Sequence, residues 1–254
     1  MCLIAIEYRT ISGWPVLLAA NREEHFGRST LPPATHLPEN DSAALGVVCG
    51  TDLRAGGTWL GVNEKGVLVT VTNRYDHPPP DGAPSRGTLC RALLDAPTAE
   101  DAARRAEEEL STRRYAGANF VCLDASRGFV VQAGAAVQTI ELSPGLHLLA
   151  NGDLNDRADL RQSYFRELYA ARAVRGSDDF FAAAAEICAT GFDASGERTI
   201  VLRGDDRGTV SSTLIGVGDD PGRAVYRYAA GPPDQEPYRD HSEDLRRLLR
   251  DDGA

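Results

Sequence analysis

Short apolar runs separated by turn residues fill much of the first 75 positions and predict paired β-strands. Residues 2–9 and 15–20 are two such runs, and the Ser12-Gly13 pair between them suits a hairpin turn. Residues 58–62 and 67–71 predict a second hairpin around 63–66. The loop at 77–84 is rich in proline and glycine, which is typical of a surface loop, and it is long enough for a lid or pocket wall.

Helical patterns follow in two pairs, with further strands around them. Residues 85–95 and 98–114 predict the first pair, and Thr98 followed by Asp101 resembles a capping box. Residues 158–173 and 177–190 predict the second pair. The remaining strands are expected at 118–123, 129–133, 137–142, 146–150, 199–203, 209–215 and 224–228, and a charged surface helix at 239–251.

The order of these elements is strands, helix pair, strands, helix pair, strands, without regular βαβ alternation. We therefore expect an α+β fold in which antiparallel sheets carry helices on their outer faces. The 254 residues, 42% of them hydrophobic, can bury one sizeable core. With no repeat and no convincing linker, a single domain over 1–254 is expected, with 239–254 as a charged terminal helix or tail.

Charge and hydropathy exclude several classes of partner. The chain has 27 basic and 37 acidic residues, a net charge of −10, and no basic stripe with interleaved aromatics, so nucleic acid is not expected as a partner. No stretch approaches the roughly 18 apolar residues of a membrane-spanning helix, and none is expected. The first residues lack the basic leader of a signal peptide, which favours a cytoplasmic location.

The cysteines and histidines do not suggest a metal or a cofactor. The five cysteines are scattered, odd in number and never in a C-x-x-C pair, so neither a disulfide framework nor a zinc cage is expected. Cys122 and Cys188 lie in apolar runs, where cysteine usually behaves as a small core residue. The five histidines show no ligand spacing.

Cys2 differs from the other cysteines because of its position. Removal of Met1 would give it a thiol nucleophile and an α-amine on one residue, with ordinary pKa values of about 8.5 and about 7.7–8.0, so the amine could accept the thiol proton. A hairpin would return the polar run 21–24 close to Cys2, where an arginine could hold a thiolate or a substrate carboxylate. The alternatives are that Cys2 begins an ordinary apolar strand and that 21–24 is a solvated turn.

Several motifs together resemble a known family. Met1-Cys2-Leu3-Ile4, then Leu18-Ala19-Ala20-Asn21-Arg22-Glu23-Glu24, are similar to the opening of the NRDE family, also called the Transport and Golgi organisation 2 family. Glu23 stands where the family tetrad has Asp. The similarity continues through 52–63 and Thr72-Asn73-Arg74, and more loosely through 117–120, 149–152 and 196–199, so that it spans most of the chain.

The resemblance implies the fold of N-terminal-nucleophile (Ntn) hydrolases, a four-layer αββα sandwich of two antiparallel sheets between helix layers. The cysteine types, such as choloylglycine hydrolases, penicillin V acylases and acid ceramidase-like amidases, are similar in layout. Carried over by position, the implied catalytic residues are Cys2, Asn21, Arg22, Glu24, Asn73, Asn151 and Arg198, and Glu23 and Trp59 are implied to bind substrate.

The implied roles agree with the chemistry of the side chains, although simpler roles stay open. The amides of Asn73 and Asn151 could stabilise the oxyanion of an acyl-transfer intermediate. Asn151 before Gly152-Asp153 also fits a turn former, and Trp59 fits a core residue as well as a pocket wall.

Three functions remain open from the sequence. The first is an Ntn-hydrolase-like enzyme that uses Cys2 to cleave a non-peptide amide or related acyl bond. The second, implied by the resemblance, is a non-catalytic protein that binds or traffics lipid, acyl-CoA or haem. The third is a scaffold or partner-binding domain in which Cys2 is an ordinary strand residue.

Overall fold

Two antiparallel β-sheets face each other in the computed structural model, which describes residues 2–38, 44–75 and 81–250. Within these residues the first sheet has six strands, in the spatial order β10 (Gly145–Leu149), β1 (Cys2–Ile11), β2 (Trp14–His25), β11 (Arg207–Val217), β12 (Val225–Ala229) and β13 (Arg239–Asp240). The second has seven, in the order β3 (Thr30–His36), β4 (Val47–Asp52), β5 (Leu60–Asn63), β6 (Leu68–Asn73), β7 (Ala118–Leu123), β8 (Gly128–Ala133) and β9 (Val137–Glu141).

The central strands, such as β1, β7 and β8, are buried on both faces, which explains their nearly continuous apolar runs. In β1, Ile4 and Ile6 pack between the two sheets, whereas Leu3 and Ala5 pack on the outer face. This alternation follows from the pleat of a strand, which sends successive side chains to opposite sides. A strand that contacts a second sheet on one face and a helix on the other has no polar face to show.

Four helices cover the outer faces of the sheets. The helices α1 (Arg86–Leu93) and α2 (Ala99–Thr112) pack against the seven-stranded sheet, and α3 (Leu160–Ala170) and α4 (Ser177–Cys188) against the six-stranded one. At the start of α2, the hydroxyl of Thr98 accepts from the backbone N–H of Asp101 and donates to its carboxylate. The layers confirm the predicted αββα sandwich.

The structure has strands that the sequence did not predict, and it lacks one that was predicted. Strands β3 and β4 were not predicted; β3 is an edge strand with Pro32 and Pro33, and such a strand does not follow an apolar pattern. The strand predicted at 199–203 is wrong, because this segment forms only isolated bridges. Its apolar residues are buried instead as a loop, in which the backbone N–H groups of Ile200 and Val201 donate to the carbonyl of Thr190.

The segment predicted as a surface helix at 239–251 is more buried than expected. It begins with the short strand β13, and its helix α5 (Ser242–Arg250) packs Leu245 and Leu248 into the apolar cluster between the sheets. Residues 251–254, and residues 77–80 of the predicted loop, lie outside the described residues. Among the described residues, no helix is long and apolar enough to cross a membrane.

Candidate functional site

A cleft of about 530 Å³ opens where β1 begins and β6 ends. Its walls come from the first residue of β1, the end of β2, the loop before β5, the end of β6 and the start of α1. Charged and polar side chains dominate its described lining, and Trp59 and Val71 supply part of its apolar surface.

Cys2 lies in this cleft as the first described residue of β1, and its side chain is half-buried. It pairs with Arg22 across the β1–β2 ladder, so the two side chains lie on the same face of the sheet. Burial raises the pKa of the Cys2 thiol, and the nearby charge of Glu23 acts in the same direction. A hydrogen bond from the backbone N–H of Glu23 to the sulfur opposes this shift. The thiol is therefore neutral near pH 7 and needs a base to become a nucleophile.

The guanidinium of Arg22 is fixed beside the sulfur by two neighbours. Its central carbon lies 4.4 Å from the centre of the Trp59 ring, and its Nη2 lies 4.0 Å from Oε2 of Glu24. Arg22 is only 8% exposed, a burial at which a cation–π contact gains strength. The indole thus packs against the wall of the cleft and holds a cation in it.

Glu24 and Asp52 are both bound by Arg28, which lies at the same end of the cleft. Nη1 of Arg28 is 3.3 Å from Oε2 of Glu24, and its Nε donates to Oδ1 of Asp52 at 3.1 Å. Burial would raise the pKa of Asp52, but the hydrogen bonds from Arg28 outweigh it and the pKa is lowered. Glu24 is therefore a carboxylate held between two arginines, close to Cys2.

Glu23 belongs to a more deeply buried ion pair. Nη2 of Arg161, from the first turn of α3, donates to Oε1 of Glu23 at 2.9 Å and to the carbonyl of Ile200 at 2.7 Å. The side chains of Glu23 and Arg161 are 2% and 12% exposed. Burial raises the pKa of Glu23, and Arg161 opposes the shift. This pair joins the outer helix layer to the end of β2 beside Cys2.

The two predicted oxyanion donors are neighbours, but only one lines the cleft. Asn73, the last residue of β6, is among the lining residues. Asn151 follows β10 and donates from Nδ2 to the backbone carbonyl of Asn73 at 2.7 Å. Asn151 is not among the described residues that line the cleft. It lies behind Asn73, where its hydrogen bond can hold the end of β6 in place.

Asn21 and Arg198 are not brought to the cleft. Asn21 pairs with Leu3, so the strand alternation sends its side chain to the helix-covered face, where Nδ2 donates to the carbonyl of Cys188 at 2.9 Å. Arg198 binds Glu167 and Asp193, and it stacks on Tyr164 of α3. Its place in the polar run 196–199 gave no sign of these partners.

Sequence reasoning missed Arg54, Arg86 and Arg161. Arg86 begins α1 and lines the cleft together with Ala83 and Pro84, the described end of the predicted loop. That part of the loop is therefore a pocket wall. Arg161 lies 138 positions from Glu23, so only the packing of α3 could place the two together. Among the described residues, no three His, Cys, Asp or Glu side chains gather as a metal site would require.

The two facing antiparallel sheets between helix layers give the chain the fold of the Ntn hydrolases. It is similar to the N-acylethanolamine-hydrolyzing acid amidase ortholog of Caenorhabditis elegans, with a TM-score of 0.55 and 14% identity over 85% of this chain and 92% of that one. It is also similar to the C2A mutant of the conjugated bile acid hydrolase from Clostridium perfringens, with a TM-score of 0.50 and 12% identity over 96% and 93% of the two chains.

The chain belongs to the Transport and Golgi organisation 2 family, whose pattern matches residues 1–194. It is 30% identical to the mouse (Mus musculus) Transport and Golgi organization 2 homolog over 162 residues, which is 59% of this chain. The alignment spans 57% of the length of the mouse protein. The family predicted from the sequence motifs is confirmed.

Proposed function

We propose that this protein is a cysteine Ntn hydrolase that cleaves a non-peptide amide or a related acyl bond, with Cys2 as the nucleophile. The observation that carries this proposal is the position of Cys2, half-buried in a cleft and on the same face of the sheet as Arg22. A thiol packed inside apolar side chains would have excluded this role.

The proposed reaction begins with removal of the residue that precedes Cys2, which frees its α-amine. The amine then takes the proton of the thiol as Sγ attacks the substrate carbonyl carbon. The C–N bond breaks, the leaving amine receives the proton, and a thioester remains on Sγ. Water then attacks the thioester, which releases the carboxylic acid and restores the thiol.

The surrounding side chains divide into three proposed roles. Asn73 donates to the oxyanion that forms on the carbonyl oxygen, a contribution of several kcal/mol in comparable sites. Arg22 and Glu24 orient the attacking group, and Trp59 keeps Arg22 in place. Asn151 and the pair of Glu23 with Arg161 support these groups from behind, and the positions of Asn21 and Arg198 favour structural roles for both.

The substrate class is inferred from two sources. The structural neighbours are named for acting on N-acylethanolamines and on conjugated bile acids, which are small acyl compounds. At 12–14% identity they support the fold of this chain alone, and the substrate is carried over as part of the proposal. The cleft volume of about 530 Å³ suits a small molecule.

A panel of N-acyl amides tests the proposal, with release of the free amine as the measurement. Cys2→Ala should abolish turnover while far-UV circular dichroism stays unchanged, since a half-buried thiol at a strand end contributes little to the core. Cys122→Ala is the matched control, because Cys122 is buried in β7 and does not line the cleft. Turnover that survives in Cys2→Ala would rule out the mechanism.

Binding or trafficking of lipid, acyl-CoA or haem without catalysis is the alternative function. Most described side chains around the cleft are charged or polar, which gives an apolar ligand less support. A haemin titration followed at the Soret band tests this alternative, and equal binding by Cys2→Ala would exclude ligation by that thiol.

The cytoplasmic location and the single domain over 1–254 also stay predictions of the sequence.

A further inference from the structure

The described lining of the cleft has an excess of cationic groups. Four arginines and three carboxylates face it: Arg22, Arg28, Arg54 and Arg86, with Glu23, Glu24 and Asp52. Glu23 is already neutralised from outside the cleft by Arg161. Glu24 and Asp52 are shared between two arginines of the lining, Arg22 and Arg28.

Arg54 and Arg86 are left over from these pairings. Among the described residues, Arg86 has one hydrogen-bond partner, the backbone carbonyl of Gly117, which accepts from Nη1 at 2.7 Å, and it pairs with no carboxylate. Only the backbone N–H of Arg54 is bonded, to Asp52, and its guanidinium contacts no acid of the described chain. Burial lowers the pKa of Arg86, and the charge of Glu24 is close enough to oppose this shift.

A half-buried guanidinium without a carboxylate loses hydration that its single carbonyl partner does not replace. An anion in the cleft would compensate for the lost hydration of the guanidinium. It could also accept two parallel N–H hydrogen bonds from one guanidinium. The start of α1 adds to the attraction, because Ser85 and Arg86 line the same wall at the positive end of the helix. Two cations that pair with no carboxylate of the described residues therefore line the same cleft as the nucleophile, which favours an anionic ligand.

We propose that Arg54 and Arg86 form a subsite for an anionic group of the substrate, so that the substrate is an acyl amide or ester that also carries a carboxylate, sulfonate or phosphate. The hydrolytic part of this statement rests on the proposed function, whereas the binding part does not. Because Arg86 and Cys2 share the cleft, a single small molecule can place its anion on Arg86 and its carbonyl at the sulfur.

Two probes that differ only in charge test the subsite. N-lauroylglycine has a carboxylate, and N-lauroylglycinamide replaces it with a neutral amide of nearly the same shape. Their affinities are measured by isothermal titration calorimetry on the Cys2→Ala variant, which cannot turn them over under the proposed mechanism. We expect the anionic probe to bind about ten- to a hundredfold more tightly, the range of charge-assisted hydrogen bonds.

The variants locate the effect. Arg86→Gln should remove most of the preference for the anionic probe and leave the neutral probe unchanged, and Arg86→Lys should keep part of it. Arg104→Gln, on the exposed face of α2, is the control for a lost positive charge and should change neither affinity. If Arg86→Gln fails to fold, Arg54→Gln gives the same measurement, because its guanidinium has no structural contact among the described residues.

The outcomes separate the two proposals. Equal affinity for both probes, no binding of the anionic probe, or an unchanged preference in the folded Arg86 or Arg54 variants would overturn the subsite. If the preference is found but the native chain hydrolyses neither probe nor any amide of the panel, the subsite stands and the proposed hydrolase function fails.

Discussion

The buried pair of Glu23 with Arg161 allows a quantitative prediction. Replacing Arg161 with Gln removes the guanidinium from the Glu23 carboxyl, which is 4% exposed and also accepts a hydrogen bond from the hydroxyl of Thr209. It also removes the hydrogen bond to the carbonyl of Ile200. We expect Arg161→Gln to lower the free energy of unfolding by about 3–5 kcal/mol, the cost of breaking a buried ion pair.

The same variant should be sensitive to pH in a defined direction. Burial raises the pKa of Glu23, and removal of the guanidinium removes the main group that opposes it. A carboxyl whose pKa is raised in the folded state stabilises the fold most when the pH lies below its pKa in the unfolded state, about 4.3. This contribution is lost as the pH rises through the pKa of the folded state. The free energy of unfolding that Arg161→Gln loses relative to the native chain should therefore be smaller at pH 4.5 than at pH 8.

Urea denaturation followed by circular dichroism measures these free energies. Glu23→Gln combined with Arg161→Gln should cost less than the sum of the single variants, by about 1.5 kcal/mol or more, because the double variant leaves no uncompensated charge. Arg104→Gln breaks an exposed ion pair and serves as the control, with little change expected. The claim that this ion pair couples α3 to the site would be refuted by two results. One is a double variant whose loss in free energy of unfolding equals the sum of the two single losses, and the other is a loss below about 1 kcal/mol for Arg161→Gln.

Three further predictions concern single positions. Gly57→Ala should lower Tm by several degrees, because the new Cβ would lie 2.2 Å from the carbonyl carbon of Gly87, whereas Gly191→Ala meets nothing within 4 Å; equal Tm values would contradict this packing. In the chain that retains Met1, alkylation of Cys2 by iodoacetamide, followed by peptide mapping, should have a pH midpoint above about 8.5, since burial raises the pKa of the thiol and only the thiolate reacts; a midpoint at or below that of free cysteine would contradict the assigned environment. Arg198→Gln should leave kcat/KM for amide hydrolysis unchanged, and a tenfold loss would show that its surface ion pairs are not its only role.

Much of the fold could be predicted because most strands and helices have clear apolar patterns. The β1–β2 hairpin was readable from two apolar runs around Ser12-Gly13, and the capping box at Thr98 marked α2. Strand β3 could not be predicted, because an edge strand with two prolines has no such pattern. The strand prediction at 199–203 was wrong for the opposite reason, since this segment has an apolar pattern but its apolar residues are buried in a loop.

In the candidate site, contacts between residues close in sequence could be predicted, whereas contacts between distant segments could not. Cys2 and Arg22 could be placed together because a hairpin fixes which residues face each other. The direction of the Asn21 side chain could not be predicted, because a one-residue difference in strand alternation decides its face. Arg161 and Arg86 reach the site from helices far along the chain, and no local signal predicts such contacts.

Mass spectrometry of the protein after brief reaction with p-nitrophenyl laurate, quenched in acid, decides whether Cys2 forms the acyl intermediate. A cysteine nucleophile predicts one lauroyl group per chain, located on a peptide that begins at Cys2 and released by hydroxylamine as a thioester would be. The Cys2→Ala variant should show no adduct, and Cys122→Ala should react as the native chain does. A native chain that stays unacylated, or that carries the lauroyl group on another residue, would contradict Cys2 as the nucleophile.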